Sequence, residues 1–110
     1  MTVIPVLDAN DSLTEIELEG VTYFLRLSWN SGAELWTLSI ENAYNEVIVA
    51  GLAVVPGTPL LAQYRHLAVP AGELVALAPD RRDTISRRAL PAGDVVFVYL
   101  DAEEVANGAL

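Results

Sequence analysis

The sequence contains no cysteine, no lysine and a single histidine, His66. Without cysteine the chain can form no disulfide, no thiolate metal site and no thiol nucleophile. One isolated histidine cannot supply the histidine cluster on which many transition-metal sites depend. The chain also has neither a nucleophile-elbow pattern nor a glycine-rich phosphate loop. We therefore expect a non-enzymatic protein with no catalytic residue, no metal ion and no cofactor.

Long apolar runs are also missing. The longest run covers residues 47–55, which is about half of the roughly 20 residues that a membrane helix needs. Residues 1–5 lack the basic start and the apolar stretch of a signal peptide. We expect neither a membrane as primary partner nor export of the chain.

Positive charge is scarce: six arginines face fifteen acidic residues, which gives a formal net charge of −9. Eight acids and one arginine precede Pro56 and give −7, while seven acids and five arginines follow it and give −2. Such an acidic first half repels phosphate backbones. Nucleic acid is therefore not expected as a partner.

The length and the apolar content both favour one folded domain. A chain of 110 residues with 53% hydrophobic residues is long and apolar enough to bury a core. We interpret residues 1–12 as an N-terminal arm, 13–101 as the β core and 102–110 as a flexible tail.

Alternation of apolar and polar residues is the main local pattern. It runs through residues 21–29 and again through residues 36–40, on either side of Asn30-Ser31-Gly32. Two alternating runs around a short glycine-containing loop predict an antiparallel hairpin. Trp29 and Trp36 flank this turn.

Further strands are predicted on both sides of the hairpin. Alternation marks residues 16–19, and β-branched residues mark 47–55, which we expect to be covered on both faces. Gly51 within this strand indicates either a bulge or a close backbone approach. Shorter strands are predicted at 73–78 and 94–100, whereas 60–64 fits either a helical turn or an irregular crossing. The pattern predicts an all-β fold: a small antiparallel β-sandwich or partly open β-barrel of about six to eight strands with little helix.

Two groups of residues are candidates for a specific role. The candidates for the core and the hairpin are aromatic: Tyr23, Trp29, Trp36 and Tyr99. The candidates for a protein interface are the two arginine pairs of the segment 79–88: Arg81, Arg82, Arg87 and Arg88. Arginine pairs well with carboxylates in desolvated contacts. The alternatives are an interface role for the tryptophans and local pairing of the arginines with Asp80 and Asp83.

Other polar groups give weaker patterns. Glu15, Glu17 and Glu19 alternate along one strand and are typical of a solvated face. The segment that contains Asp8 and Asp11 lacks the turn glycine and the distal glutamate of a calcium loop.

The hairpin and the features after it resemble the phage baseplate plug family of contractile-tailed bacteriophages. The residues that carry the resemblance are Leu27, Trp29 and Asn30, then Trp36, Leu38 and Ile40, in the pattern L-x-W-N…W-x-L-x-I. Similar later features are Gly51-Leu52, residues 57–61, Pro70, Gly72, Leu74 and residues 98–100. The resemblance covers about residues 13–103.

This resemblance implies a structural component of the tail baseplate, a plug-like protein that packs near the tail tube and the central hub. It implies hub, tube or wedge proteins as partners and allows a homo-oligomer. It also implies residence in the virion after synthesis in the host cytoplasm, and it brings no catalytic residue. The alternatives are a β-sandwich module that binds a peptide or a carbohydrate, and a small hydrolase or isomerase that uses His66.

Overall fold

The computed structural model describes residues 1–80 and 84–108. Within these residues, seven strands form two antiparallel sheets that do not close into a barrel. The strands are β1 (Thr2–Val3), β2 (Asp11–Leu18), β3 (Val21–Asn30), β4 (Leu35–Asn42), β5 (Val47–Ala53), β6 (Glu73–Leu77) and β7 (Val96–Leu100). Helices are short: a 3-10 helix (Ala62–Tyr64), α1 (Ala89–Ala92) and α2 (Ala102–Ala106). The predicted all-β sandwich is confirmed.

The first sheet has four strands in the order β2-β3-β4-β5. Its central pair is the predicted hairpin, which is confirmed, with Trp29 opposite Trp36 in the antiparallel register. The Asn30 side chain accepts a hydrogen bond from the Ala33 backbone N–H (3.0 Å) and fixes the turn. Alternation decides the burial: every second residue of β3 and β4 faces the core, and the residues between them face outward.

Strand β5 differs from the prediction. It was expected to be covered on both faces, but Ala50, Gly51 and Ala53 are exposed, and Val47 is 62% exposed. It is also an edge strand of the four-stranded sheet. Two register shifts separate β5 from a regular pairing with β4, and Gly51 has a φ of 73°. The bulges bend this edge, which hinders pairing with a further strand. A β-branched composition favours a strand but does not distinguish a central position from an edge.

The second sheet has three strands in the order β1-β7-β6. The outer edge of β6 is covered by the chain that leaves β5: Leu60 N–H donates to the Leu74 carbonyl (3.0 Å), and Pro56 forms a bridge with Ala76. In β7, Phe97 and Tyr99 face the core between the sheets, whereas Val98 and Leu100 belong to a second cluster.

The core lies between the two sheets and is built mainly by their inner faces. Its largest fully buried side chains include Trp36, Phe97, Leu25, Leu38, Ile40, Leu61 and Leu74. Each of these is less than 2% exposed. Burial of such side chains is the main favourable contribution to folding.

Both chain ends pack on the three-stranded sheet. Within the expected arm, residues 2–3 form β1, which pairs with β7. Within the expected flexible tail, residues 102–106 form α2, which begins with a capping box: the Asp101 carboxylate accepts from Glu104 N–H (2.8 Å) and the Glu104 carboxylate from Asp101 N–H (3.2 Å). The Met1 ammonium lies 2.6 Å from Glu104. This ammonium lowers the pKa of Glu104. The capping box stabilises the first turn of α2 locally, and the division into arm, core and flexible tail stays a prediction.

Candidate interaction surfaces

The two tryptophans lie mostly inside the protein. Trp36 is fully buried, and its indole N–H donates to the Ser86 carbonyl (3.3 Å). Trp29 is partly buried and meets Trp36 edge to face, with ring centroids 5.5 Å apart. An exposed aromatic groove would have favoured a carbohydrate- or peptide-binding module. This burial gives that alternative no support.

Arg87 is engaged within the chain. Its Nε donates to the Asn10 side chain (2.8 Å), and its Nη1 lies 3.0 Å from the Asp8 carboxylate. Its guanidinium stands over the Trp36 ring, 5.3 Å from the centroid, in a cation–π contact. Arg87 therefore fastens the segment before α1 to the residues that precede β2.

Of the other interface candidates, only Arg88 lies among the described residues. Arg88 is exposed at the start of α1. Arg81 and Arg82 lie outside the described residues. A role of the arginine pairs as an interface stays a prediction.

A partly buried polar link, which the sequence analysis missed, connects the two sheets. The Tyr99 hydroxyl donates to the Glu19 carboxylate and accepts from the Gly72 backbone N–H (2.7 Å). Glu19 lies in the turn between β2 and β3 with a φ of 51°, an unusual conformation for a residue other than glycine. Burial, and then the hydrogen bond to Glu19, raise the pKa of Tyr99. Tyr23 is also buried nearby, and burial raises its pKa as well.

Gly72 can approach this link only because it has no side chain. A Cβ at this position would lie 1.9 Å from the Leu100 carbonyl oxygen and 2.7 Å from the Tyr99 hydroxyl. The sequence does not reveal this role of Gly72, because a close approach between distant segments leaves no local pattern.

The outer side of the three-stranded sheet is apolar and only half covered. Val75, Val98 and Leu100 are buried there beside Val105 of α2. Further along the same side lie residues that we call the outer apolar face: Met1, Val3, Leu77 and Val96. They are 66%, 59%, 41% and 36% exposed, in that order. A groove of about 430 Å³ runs along them, with Asp94 in its wall. This is the largest uncovered apolar feature that we identify in the described part of the chain.

The outer side of the four-stranded sheet is polar by contrast. Arg26 stands near its middle, 2.9 Å from Asp11 and 3.8 Å from Glu41. Glu15 and Glu17 of β2 are exposed on the same side, as the alternation predicted. A side with these charged and ion-paired residues can remain in water, and the charges on the edge strand β2 also discourage pairing with a further strand.

The described residues offer little for chemistry. His66 is exposed after the 3-10 helix, so the arrangement that would have favoured a hydrolase, a buried histidine beside an acid, does not occur. Residues 1–80 and 84–108 contain no group of three or more histidine, aspartate or glutamate side chains placed to hold a metal ion. No helix among them has the length and hydropathy to cross a bilayer.

An uncovered apolar face beside polar residues is typical of a surface that another molecule contacts. The chain matches the family model of the cyanophage baseplate Pam3 plug gp18 over residues 1–103. It therefore belongs to this family of phage baseplate plugs, structural proteins of the virion tail. The resemblance found in the sequence is confirmed, and a structural family fits a non-enzymatic protein. Among curated proteins, no sequence matches the chain.

Proposed function

We propose that the chain works by packing its outer apolar face against another protein of the tail baseplate, near the tail tube and the central hub. The half-covered apolar side of the three-stranded sheet is the observation that carries this proposal. After synthesis in the host cytoplasm, the chain would enter the assembling tail through this contact.

Side-chain exposure on this side of the sheet differs between the part that α2 covers and the part that it leaves open. Leu100 and Val98 of β7, which lie beside α2, are at most 5% exposed, whereas Val96 of the same strand and Leu77 of the neighbouring β6 are 36% and 41% exposed. A partner that extends the cover would bury these side chains too. Full burial of a large aliphatic side chain contributes roughly 1.5–3 kcal/mol before the cost of association.

The partner is another tail protein rather than a second copy. Each copy carries a net charge of −9, so two copies repel each other, and Asp94 in the groove wall adds a like charge to a contact between identical faces. A neutral or basic partner meets no such repulsion.

Two matched leucine variants test the proposal. Leu77 and Leu13 have nearly equal exposure, 41% and 39%, but they lie on the outer sides of different sheets. Each variant, Leu77→Asp or Leu13→Asp, is co-expressed at equal level with the wild-type chain in cells infected by a phage that lacks its own copy of the gene. Mass spectrometry of purified tails then gives the ratio of wild-type to variant chain.

We expect tails to exclude Leu77→Asp by at least about 10-fold, because the interface would bury an unpaired carboxylate. Leu13→Asp should enter tails as well as the wild type. Equal entry of Leu77→Asp would contradict the proposal. Light scattering of the purified chain shows whether a second copy covers the face instead.

A further inference from the structure

Tyr44 projects from the turn between β4 and β5 and is 84% exposed. Val47 follows it at the start of β5 and is 62% exposed. Single exposed apolar residues are common on protein surfaces. Tyr44 differs from them because the turn that carries it is held by many hydrogen bonds.

Asn42 organises this turn. Its side-chain oxygen accepts from the backbone N–H groups of Tyr44 (2.9 Å) and Glu46 (3.0 Å). Its side-chain nitrogen donates to the Glu46 carboxylate (3.0 Å), and its backbone N–H donates to the Glu46 carbonyl (2.9 Å).

Asn45 fixes the other half of the turn. Its backbone N–H donates to the Asn42 carbonyl (3.0 Å), and its side chain donates to Glu41 (3.3 Å). It adopts a φ of 61°, which asparagine tolerates better than most residues. The two asparagines therefore define the conformation of the turn.

The aromatic ring of Tyr44 has little to do with this conformation. The turn uses only the backbone N–H of Tyr44, and the ring lies in water. A tyrosine held on a rigid turn gives a large contact area and loses little conformational entropy on binding. Tyrosine is also one of the residues enriched among interface residues that contribute most to affinity.

The charge around the turn indicates the kind of partner. Glu46 in the turn is exposed, Glu41 beside it is buried and lies 3.8 Å from Arg26, and the chain as a whole carries a net charge of −9. A pocket that receives Tyr44 is therefore favoured if cations surround it. A second copy carries the same net charge of −9, which disfavours it as the partner, and its Arg26, Arg65 and Arg87 are engaged by carboxylates or carbonyls of their own chain.

We infer that Tyr44 is an anchor that inserts into an apolar pocket, rimmed by lysine or arginine, on a neighbouring tail protein. The pocket would also hold a polar group for the phenol hydroxyl, because a buried hydroxyl needs a hydrogen-bond partner. This inference rests on the proposed function only in that the chain acts by assembly, since it concerns a different surface from the outer apolar face.

Competitive entry into tails tests the inference, with Tyr44→Ala co-expressed beside the wild-type chain as described above for Leu77→Asp. Truncation of an anchor residue lowers affinity by about 30-fold or more, so wild type should exceed Tyr44→Ala in tails by about that ratio. Tyr44→Phe keeps the ring and should fall only a few-fold. Leu67→Ala removes another exposed apolar side chain and should enter tails normally.

A further variant separates the ring from the rigidity of the turn. Asn42→Ala keeps Tyr44 but removes the side-chain hydrogen bonds that hold its turn, so its entry should lie between those of Tyr44→Ala and the wild type. Thermal unfolding of Tyr44→Ala should match the wild type, because its exposed ring contributes little to folding.

Equal entry of Tyr44→Ala and wild type would overturn the inference, and exclusion of Leu77→Asp in the same experiment would leave the proposed function standing. Exclusion of Tyr44→Ala with normal entry of Leu77→Asp would support the anchor and reject the outer apolar face. A homo-oligomer in solution that Tyr44→Ala dissociates would overturn the assigned partner, because the pocket would belong to a second copy.

Discussion

The two sheets share one core but differ on their outer sides. The four-stranded sheet turns mainly charged and hydroxyl side chains outward, with Arg26 between Asp11 and Glu41 and Leu13 beside them. The three-stranded sheet turns aliphatic side chains outward, and the chain itself covers only part of them. The first side is stable in contact with water. The second side keeps exposed aliphatic side chains until another molecule packs against them.

The sequences of the strands account for this difference. Strands β2, β3 and β4 alternate between apolar and polar residues, which is typical of a sheet with one wet side. Strands β6 and β7 are nearly continuous apolar runs, which are typical of a sheet that is covered on both sides. Helix α2 is too short to cover the whole side, so the remainder is left for a partner.

The largest expected effect compares the covered and uncovered parts of the apolar side. Leu100→Ala should lower the free energy of unfolding by about 2–4 kcal/mol, because its side chain is buried beside Val98. Leu77→Ala should lower it by less than about 1 kcal/mol, because much of its side chain is already in water. Urea denaturation of both variants measures the difference. Equal losses of unfolding free energy in the two variants would show that Leu77 is as well covered as Leu100.

The second prediction concerns the link that holds the sheets together. Tyr99→Phe leaves the buried Gly72 N–H without its acceptor and should lower the free energy of unfolding by about 1–3 kcal/mol. Urea denaturation at neutral pH measures this loss. An unchanged stability would mean that the link does not join the sheets energetically.

The same link predicts a pH dependence. Because the pKa of Tyr99 is raised in the folded state, its contribution is fully present below the ordinary tyrosine pKa of 10.0 and is lost as the pH rises through the folded value. The stability of the wild type should therefore fall above pH 10, and that of Tyr99→Phe should fall less steeply. The pKa of Tyr23 is also raised, so both proteins keep the part of the pH dependence of stability that Tyr23 contributes.

The third prediction concerns the polar side. Arg26→Ala removes the ion pairs with Asp11 and Glu41. Because the Arg26 side chain is 40% exposed, this should lower the free energy of unfolding by only about 0.2–1 kcal/mol. The loss should shrink in 1 M salt because exposed charges are screened. Denaturation of Arg26→Ala and the wild type at low and high salt measures this. A loss that does not change with salt would indicate that packing, rather than charge, is what Arg26 contributes.

The smallest effect is expected at helix α2, which covers part of the apolar side. Glu104→Gln weakens the contact of α2 with the Met1 ammonium. The pKa of Glu104 is lowered from 4.5 in the folded state, so its contribution is present above that value and is lost as the pH falls through the folded value. Protection of the α2 amides from hydrogen exchange at pH 7 should be lower in Glu104→Gln than in the wild type. Acidification should change this protection less in the variant than in the wild type. Unchanged exchange would show that this contact does not hold α2.

Local patterns predicted the parts of the fold that depend on neighbouring residues. The hairpin of β3 and β4 follows from alternation and an Asn-Ser-Gly turn, and the sandwich follows from the spacing of the strands. The edge position of β5 and the Tyr99–Glu19 contact could not be predicted in this way, because they join residues far apart in the chain. Helix α2 did leave a signal, the capping box from Asp101 to Glu104, which the acidic composition of the segment obscured.

The candidate sites show the same limit. Burial of Trp36 follows from its place in the alternation, but the engagement of Arg87 with Asp8 depends on two loops that meet only in the folded chain. The outer apolar face likewise brings together residues from both ends of the sequence, Met1 and Val96 among them.

Hydroxyl-radical footprinting, read by mass spectrometry on the free chain and on intact tails, tests the outer apolar face most directly. The account predicts that Met1 and Leu77 are oxidised readily in the free chain and are protected in tails, whereas Leu13 is oxidised equally in both. Equal oxidation of Met1 and Leu77 in the free chain and in tails would contradict the claim that a tail protein covers this face.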